Sequence, residues 1–373
     1  MRIMFTGGGT GGHIYPLLAV ADEIKRQAKE PVEMTYIGPR SPLNTEFSSR
    51  GIRIFSLLSS KLRRYAAIDN LLDVPKFFIS IFQALLWLYI EMPDVLFSKG
   101  GPGAFAAVLA AWFYRIPIII HESDAVPGLT NRLSSFFATK IALSFASASE
   151  SFSQKKIAVT GNPIRPGILA DRPPISAAKK DLGLNPDLPL LVVLGGSQGS
   201  RTLNAFIIEN LKELLAEVQI FHQYGPANGR LVEDLLDSPL KSLEAALWVR
   251  YKSVPYLELP ELVRALAAAD LVLSRAGSGA IFEIASFGKS SLLVPLPGSA
   301  NDHQRANAYE YATAGAAAVF EENNLAVHLV LGKIKELLTR PERKQKMEEA
   351  AKRFFIPDAA EIIAKETLLL GWR

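Results

Sequence analysis

The sequence predicts an α/β protein with two Rossmann-like, doubly wound parallel-sheet domains that face each other across a cleft. A chain of 373 residues is too long for one ordinary hydrophobic core. Short apolar strands alternate with Ala- and Leu-rich helices along it, which is the pattern of parallel sheets. Both halves also begin with a strand, a Gly-rich turn and a helix, from Arg2 to Gln27 and from Leu190 to Leu215.

Composition limits the class of protein and its partners. Hydrophobic residues make up 49% of the chain and charged residues 21%, which is typical of globular proteins. Cysteine is absent, which excludes disulfides and thiolate metal sites. Met1–Phe5 leads straight into a Gly-rich loop and leaves no room for a signal peptide, so we expect a cytoplasmic protein. The net charge of +4 favours anionic partners, but no basic run interleaved with aromatic residues suggests nucleic acid.

The first half contains two strand–turn–helix units. The strand Arg2–Phe5 precedes the loop Gly7–Gly12 and a helix that Pro16 opens. A second unit consists of the strand 95–98, the turn 99–103, the helix 104–114 and the strand 117–121. Ligands of such sheets bind beyond the carboxyl ends of the strands, where these turns lie.

Phe77–Ile90 is a continuous apolar stretch. Its fourteen residues would span about 21 Å as a helix, less than the roughly 30 Å of a bilayer core, which argues against a transmembrane helix. Two alternatives stay open. One is a buried packing helix, and the other is a helix with one face on an anionic membrane, flanked by Lys61, Arg63, Arg64 and Lys76 and contacting it through Phe78, Phe82 and Trp87.

Two Pro-dense segments, Gly161–Pro166 and Arg172–Pro174, predict a linker. We therefore expect an N-terminal Rossmann-like domain at 1–163 and a C-terminal Rossmann-like domain at 164–340. The Lys- and Glu-rich segment 341–373 is expected to be helical and either to cap the first domain or to cross back over it.

The segment Leu271–Asn307 has the pattern of a nucleotide-sugar pocket. A strand at 271–273, a Gly turn and a helix at 280–287 bring free backbone N–H groups and a positive helix end to one point, which suits a diphosphate. Glu283, one turn into that helix, is placed to accept hydrogen bonds from two ribose hydroxyls. The alternative is an ordinary βα unit with a solvated Glu283.

The loop Gly7–Gly12 contains five glycines but is neither a G-x-G-x-x-G fingerprint nor a Walker loop, so it indicates neither NAD nor ATP. We expect no cofactor. His13 at the following helix start should be neutral and is a candidate base, the alternative being a helix cap. No Asp-x-Asp occurs to hold a divalent ion, so we expect no metal. Backbone amides, a helix end and cations such as Arg165 would then stabilise a leaving diphosphate.

Several motifs occur together in order along nearly the whole chain. They are Thr6–His13, His121-Glu122, Pro127–Asn131, Gly161–Arg165, Gly195–Gly199 and Ser274–Gly277 with Glu283, His303-Gln304 and Asn307-Ala308. In this combination the chain resembles the family 28 glycosyltransferases that add N-acetylglucosamine to lipid I. The resemblance implies a glycosyltransferase B fold, UDP-N-acetylglucosamine as donor, lipid I as acceptor and inversion at the anomeric carbon. It also implies that the N-terminal domain binds the acceptor and attaches peripherally to the cytoplasmic face of the plasma membrane, and that the C-terminal domain binds the UDP-sugar. Other cell-wall synthesis proteins are candidate partners that the sequence does not identify.

The resemblance also assigns roles to residues. His13 would be the general base and Glu122 its first substitute, the weaker base because of its lower pKa. Arg165 would bind the donor diphosphate, Glu283 the ribose and Gln304 the transferred sugar. The remaining donor-site residues it implies are Thr10, Gly11, Gly12, Asp124, Ser197, Leu257, Ser278, Gly279, Ala280 and His303.

Two departures from the family pattern matter. His121-Glu122-Ser123-Asp124 stands where the family has His-Glu-Gln-Asn, and an ionised Asp124 accepts hydrogen bonds but cannot donate them. The family's uracil-binding Phe-Ile has its best counterpart in Tyr256-Leu257. The rival functions are transfer to another lipid acceptor, epimerisation of the same donor, and sugar-nucleotide sensing without catalysis.

Overall fold

A computed structural model describes residues 1–58 and 68–372. The chain forms two compact units, Met1–Pro166 together with Ile356–Arg373, and Gly167–Phe355. Arg165 thus belongs to the first unit, although the sequence placed the boundary before residue 164. The helix that begins at Pro341 belongs to the second unit, and only the chain beyond Phe355 returns to the first. Lys61, Arg63 and Arg64 lie outside the described residues.

The first unit contains a seven-stranded sheet with the order β3-β2-β1-β4-β5-β6-β7, in which the paired strands are parallel. Its strands are β1 (Arg2–Thr6), β2 (Glu33–Gly38), β3 (Arg53–Ser56), β4 (Val95–Ser98), β5 (Ile118–Glu122), β6 (Lys140–Leu143) and β7 (Ile157–Val159). Its helices are α1 (Gly11–Gln27), α2 (Thr45–Ser48), α3 (Ile68–Glu91), α4 (Ala104–Phe113), α5 (Leu129–Ser134) and the chain's last helix, Ala359–Gly371.

Helices cover both faces of this sheet. Helix α1 and the last helix share one hydrophobic core with β1 and β2, whereas α3 and α4 share a second core with β4, β5 and β6. Every residue of β4 is buried. A strand covered on both sides reads as a continuous apolar run, and this explains why the sequence of β4 shows no alternation.

The second unit contains a six-stranded sheet with the order β10-β9-β8-β11-β12-β13, again with parallel pairs. Its strands are β8 (Leu190–Leu194), β9 (Gln219–Gln223), β10 (Tyr251–Val254), β11 (Leu271–Ser274), β12 (Ser291–Leu293) and β13 (Ala317–Val319). Its helices are α6 (Ile175–Asp181), α7 (Arg201–Glu209), α8 (Leu211–Glu217), α9 (Gly229–Ser242), α10 (Ala245–Trp248), α11 (Leu259–Ala268), α12 (Ser278–Ser286), α13 (His303–Thr313), α14 (Val327–Thr339) and α15 (Pro341–Phe354), which leaves the last helix as α16.

Helix α3 has two different faces. Ala84 and Leu88 are buried against the sheet, while Phe82 is 70% exposed and Phe78 57%. The helix is therefore not the fully buried packing helix that the sequence left open. Trp87 is half-buried and stacks on Phe55 with ring centroids 4.1 Å apart, so it lies on the packed side rather than on the exposed face. Within residues 1–58 and 68–372, no helix combines the length and the apolar character needed to cross a bilayer.

Candidate active site

The Gly-rich loop after β1 is held in one conformation by neighbouring elements. The Tyr36 hydroxyl donates to the carbonyl of Gly7 at 3.0 Å, and the Ser41 hydroxyl donates to that of Gly9 at 2.6 Å. The amide of Gly8 donates to the carbonyl of Gly100 at 2.9 Å and so joins this loop to the turn after β4. The loop's outer residues, Thr10 and Gly12, remain exposed at the start of the seventeen-residue helix α1. The positive end of a helix thus faces solvent at this edge.

His13 lies where the two Gly-rich turns meet. Its Nδ1 is 2.8 Å from the Thr10 hydroxyl, which fixes the ring. A Cβ at Gly101 would lie 2.7 Å from its Nε2, and Gly101 has a φ of 87°. Only glycine satisfies both requirements at that position. Burial, followed by the positive charge of Lys99, lowers the pKa of His13 to about 4, against an opposing effect of Asp124. The imidazole is therefore neutral at pH 7.

Glu122, at the end of β5, organises the loop that follows. One carboxylate oxygen accepts from the Asp124 amide at 3.0 Å, and the other accepts from the Gly128 amide at 3.1 Å and the Asn131 side chain at 3.0 Å. The residue is 3% exposed. Its carboxylate is thus occupied by the protein's own loop, while Asp124 remains partly accessible at the sheet edge.

The pKa values reverse the order that the sequence suggested for the two candidate bases. Burial and the charge of Asp124 raise the pKa of Glu122, whereas burial lowers that of His13. A lower pKa of Glu122 is therefore no reason to prefer His13, and that expectation is corrected. Accessibility is the better reason, because the Glu122 oxygens accept three internal hydrogen bonds.

Lys99 is a component of this site that the sequence analysis read only as part of a turn. It directly follows β4, is 2% exposed, and its amide donates to the carbonyl of Thr6 at 2.8 Å. Burial lowers its pKa, and the carboxylates of Glu122 and Asp124 counteract that effect. The available signal was a charged residue between a fully buried strand and a Gly-Gly turn, since a buried lysine requires nearby acids.

Arg165 lies on the last stretch of the first unit, beside α1. Its guanidinium carbon is 4.8 Å from the centroid of the Tyr15 ring. The structure therefore groups Arg165 with the Gly-rich loop of the first unit, together with Thr10, Gly11, Gly12 and His13.

In the second unit, the turns that follow β8, β11 and β12 meet at one edge of the sheet. Arg275 joins them: its Nε and Nη2 donate to the Ser200 hydroxyl at 3.0 and 2.6 Å, and its Nη1 donates to the carbonyls of Val294 and Pro295 at 3.1 and 3.3 Å. It also forms an ion pair with Glu322. The residue is 7% exposed, so it supports the site from within the protein. Sequence analysis had read Arg275 only as a turn residue.

Ser197 and the start of α12 form the accessible part of this edge. Ser197 is exposed in the turn after β8. Helix α12 begins at Ser278, two residues earlier than expected, with Gly277 as its N-cap. A Cβ at Gly279 would meet nothing within 4 Å, so Ser278, Gly279 and Ala280 border open space. Glu283 lies one turn further on and is only 9% exposed, which excludes the solvated glutamate of the alternative reading.

Gln304 and His303 begin helix α13 on the same side. The Gln304 side-chain oxygen accepts from the Leu296 amide at 3.1 Å, which orients its amide group. His303 Nδ1 is 2.7 Å from the carbonyl of Ala300. Leu257, the candidate for uracil, is 4% exposed, whereas its neighbour Tyr256 is half-buried. Within the described chain, no three His, Asp or Glu side chains are grouped as a metal site would require.

Comparison with known proteins gives consistent results. Residues 3–143 match the model of the glycosyltransferase family 28 N-terminal domain, and residues 190–363 match that of the family's C-terminal domain. A UDP-N-acetylglucosamine–N-acetylmuramyl-(pentapeptide) pyrophosphoryl-undecaprenol N-acetylglucosamine transferase of Legionella pneumophila is 36% identical over 98% of this chain and 96% of its own length.

Solved structures also resemble the chain. Acinetobacter baumannii MurG has a TM-score of 0.73 and 26% identity, and the match covers 99% of both chains. A UDP-GlcNAc 2-epimerase from Neisseria meningitidis bound to UDP-GlcNAc has a TM-score of 0.69 at 17% identity, covering 99% of this chain and 100% of the epimerase. At that identity the epimerase shows a shared fold only.

Proposed function

The chain belongs to glycosyltransferase family 28, and from this we propose that it transfers N-acetylglucosamine from UDP-N-acetylglucosamine to lipid I, forming lipid II for peptidoglycan synthesis. The observation that carries the proposal is the full-length similarity to transferases of that name. The geometry of His13 supports it, because a neutral imidazole is fixed beside an exposed helix N-terminus.

In the proposed reaction, the His13 imidazole takes the proton from the 4-hydroxyl of the muramoyl sugar. That oxygen forms a bond to the anomeric carbon of the donor with inversion, while the bond from this carbon to the phosphate oxygen breaks and its electron pair leaves with UDP. The proton on His13 then passes to solvent. Asp124 acts nearby, where its charge favours the imidazolium that forms.

The leaving diphosphate acquires charge as the bond breaks, and we assign its stabilisation to groups of this chain. The exposed amides at the start of α12 and the turn carrying Ser197 bind it from the second unit. The resemblance to the family also assigns the cation of Arg165 to this diphosphate. With this set of donors the reaction needs no divalent ion.

The rest of the donor is assigned to the second unit. Glu283 accepts hydrogen bonds from the ribose hydroxyls, and its low exposure strengthens such bonds. Gln304 presents its amide group to the transferred sugar, because its oxygen already accepts from Leu296. His303 and the residues Ser278, Gly279 and Ala280 border the same ligand, with Leu257 beside the uracil.

We further propose that the first unit binds the cytoplasmic face of the plasma membrane, where a lipid-anchored acceptor resides. The exposed face of α3 and its neighbour α4 carries large apolar side chains: Phe78, Ile79, Phe82, Leu86, Tyr89, Ile90, Trp112 and Phe113. Apolar surfaces of this kind insert into the headgroup region of a bilayer. The positive net charge favours anionic lipids.

An assay of UDP release with and without lipid I tests the proposed function. A transferase releases UDP only when the acceptor is present. An epimerase would release UDP and free sugar from the donor without lipid, and a sensor would bind UDP-N-acetylglucosamine tightly yet release nothing with any acceptor. Either of those results would exclude the proposal.

A further inference from the structure

The segment Thr160–Pro166 carries Arg165 and is firmly attached to the first sheet. The amides of Thr160 and Gly161 donate to the carbonyl of Leu143 at 2.9 and 3.2 Å. Gly161 has a φ of 79°, and a Cβ there would lie 2.8 Å from Ile356, so the turn is closely packed. The chain is therefore anchored to the first sheet four residues before Arg165.

Tyr15 lies where it can fix that side chain. It is the fifth residue of α1, and its ring centroid lies 4.8 Å from the guanidinium carbon of Arg165. The same ring packs against the Gly-rich loop, because a Cβ at Gly11 would lie 3.0 Å from the Tyr15 ring. One half-buried ring thus contacts both the loop and the cation.

We infer that Tyr15 is a positioning residue that holds Arg165 ready for the donor diphosphate. The inference rests on the proposed function, since it takes Arg165 as a ligand of that diphosphate. A cation over an aromatic face is attracted to it, so the Tyr15 ring favours one placement of the Arg165 guanidinium. A side chain ordered before binding also spares the loss of rotamer freedom on binding.

Calorimetric titration with UDP-N-acetylglucosamine and with uridine tests this role, because only the former carries the diphosphate. Y15L and Y15M remove the ring, whereas Y15F retains it. Both ring-deleted variants should bind UDP-N-acetylglucosamine about fivefold more weakly, as expected for loss of one cation–π contact, with unchanged affinity for uridine. Y15F should bind like the wild type. The matched control is Y309L, which removes an aromatic ring from beside Arg305 in the second unit and should leave both affinities unchanged.

A double-mutant cycle with R165M separates positioning from general packing. If Tyr15 acts through Arg165, Y15L has no further effect on donor affinity once R165M is present. An equal loss for uridine, an unchanged donor affinity in Y15L, or the same loss in the R165M background would each overturn the inference. The proposed function is tested separately. If the variants show this pattern but the wild type transfers no sugar to lipid I, the transferase activity is refuted and the role of Tyr15 remains. A wild type that binds no UDP-N-acetylglucosamine refutes both.

Discussion

At the scale of single residues, the account depends first on His13. Its ring is fixed by Thr10 and lies against Gly101, so no other side chain reproduces its position. We expect His13→Ala to lower kcat with lipid I by roughly 10²- to 10⁴-fold, the usual contribution of a general base. Affinity for UDP-N-acetylglucosamine should persist, which calorimetry checks. His328→Ala, at an exposed histidine, is the matched control. Turnover of His13→Ala at the wild-type rate would show that another group takes the proton.

The pKa of His13 predicts the acid limb of the pH profile. A histidine acts as a base only when neutral, which it is above its pKa, here about 4. The rate constant kcat/KM should therefore stay level from pH 7.5 down to about pH 5.5 if this group alone controls it, whereas a pKa of about 6.5 would reduce it by about tenfold at pH 5.5. Lys99→Met removes a charge that lowers this pKa, so its acid limb should move to higher pH. A wild-type midpoint near 6.5 would contradict the assignment.

Lys99 and Tyr15 show why part of the site escaped sequence analysis. The Gly-rich loops, His13 and Glu283 follow strands in a recognisable order, so spacing alone brought them to one edge of each sheet. The role of Lys99 depends on Glu122 and Asp124, which lie 23 and 25 positions later in the sequence. The role of Tyr15 depends on Arg165, which lies 150 positions away. Such charge and ring contacts depend on tertiary packing, which no local pattern encodes.

At the scale of elements, the sequence left two alternatives open for helix α3. The structure gives the helix one packed face and one exposed face. The helix is apolar on average, but only the pattern at positions three and four residues apart shows which face is packed. The basic residues expected before it lie outside the described part of the chain. Trp87, expected at the membrane, stacks on Phe55 instead of lining the exposed face.

This helix gives a direct prediction for membrane binding. Phe82→Ser combined with Leu86→Ser should lower the partition of the protein onto vesicles containing anionic lipid by about tenfold or more, because two large apolar side chains no longer enter the bilayer. Val249→Ser, which alters an exposed apolar side chain of the second unit, is the control. Equal partition of the double variant and the wild type in sedimentation would contradict membrane contact through α3.

An ion pair between α6 and the residue before β11 is expected to stabilise the second unit. Lys179 is 2.8 Å from Asp270, which also accepts from the Leu190 amide at 2.9 Å. We expect Asp270→Asn to lower the free energy of unfolding by about 3 kcal/mol, because Lys179, whose side chain is 5% exposed, loses its charge partner. Urea denaturation measures the change, with the exposed Asp187→Asn as control. A loss no greater than in the control would show that the pair contributes little.

The carboxylate of Asp270 also makes the free energy of unfolding depend on pH. Burial raises the pKa of Asp270, but the hydrogen bonds from the Lys179 side chain and from the Leu190 amide lower it, and the net pKa is lowered. A carboxylate whose pKa is lower in the folded state stabilises the fold above its unfolded-state pKa of about 3.9 and loses this contribution as the pH falls below that value. The stability difference between wild type and Asp270→Asn should therefore be constant from pH 7 to pH 5 and shrink below pH 4. A difference that instead grew on acidification would contradict this.

At the scale of the whole molecule, the sequence predicted two parallel-sheet units and their family, and both are confirmed. The prediction succeeded because buried parallel strands and Gly-rich turns leave strong local signals. The exact division of the chain was harder to predict. Pro-rich composition indicates a linker, but which unit receives Arg165 and the helix α15 depends on packing partners such as Tyr15 and Phe282.

The most direct test of the whole account is mass-spectrometric analysis of the lipid product formed from lipid I and UDP-N-acetylglucosamine in excess EDTA. The account predicts lipid II, with one N-acetylglucosamine added to each lipid I for every UDP released, at the same rate as without the chelator. Recovery of unmodified lipid I would contradict the transfer, and activity that vanished with EDTA and returned with magnesium would contradict stabilisation of the diphosphate by backbone amides and Arg165.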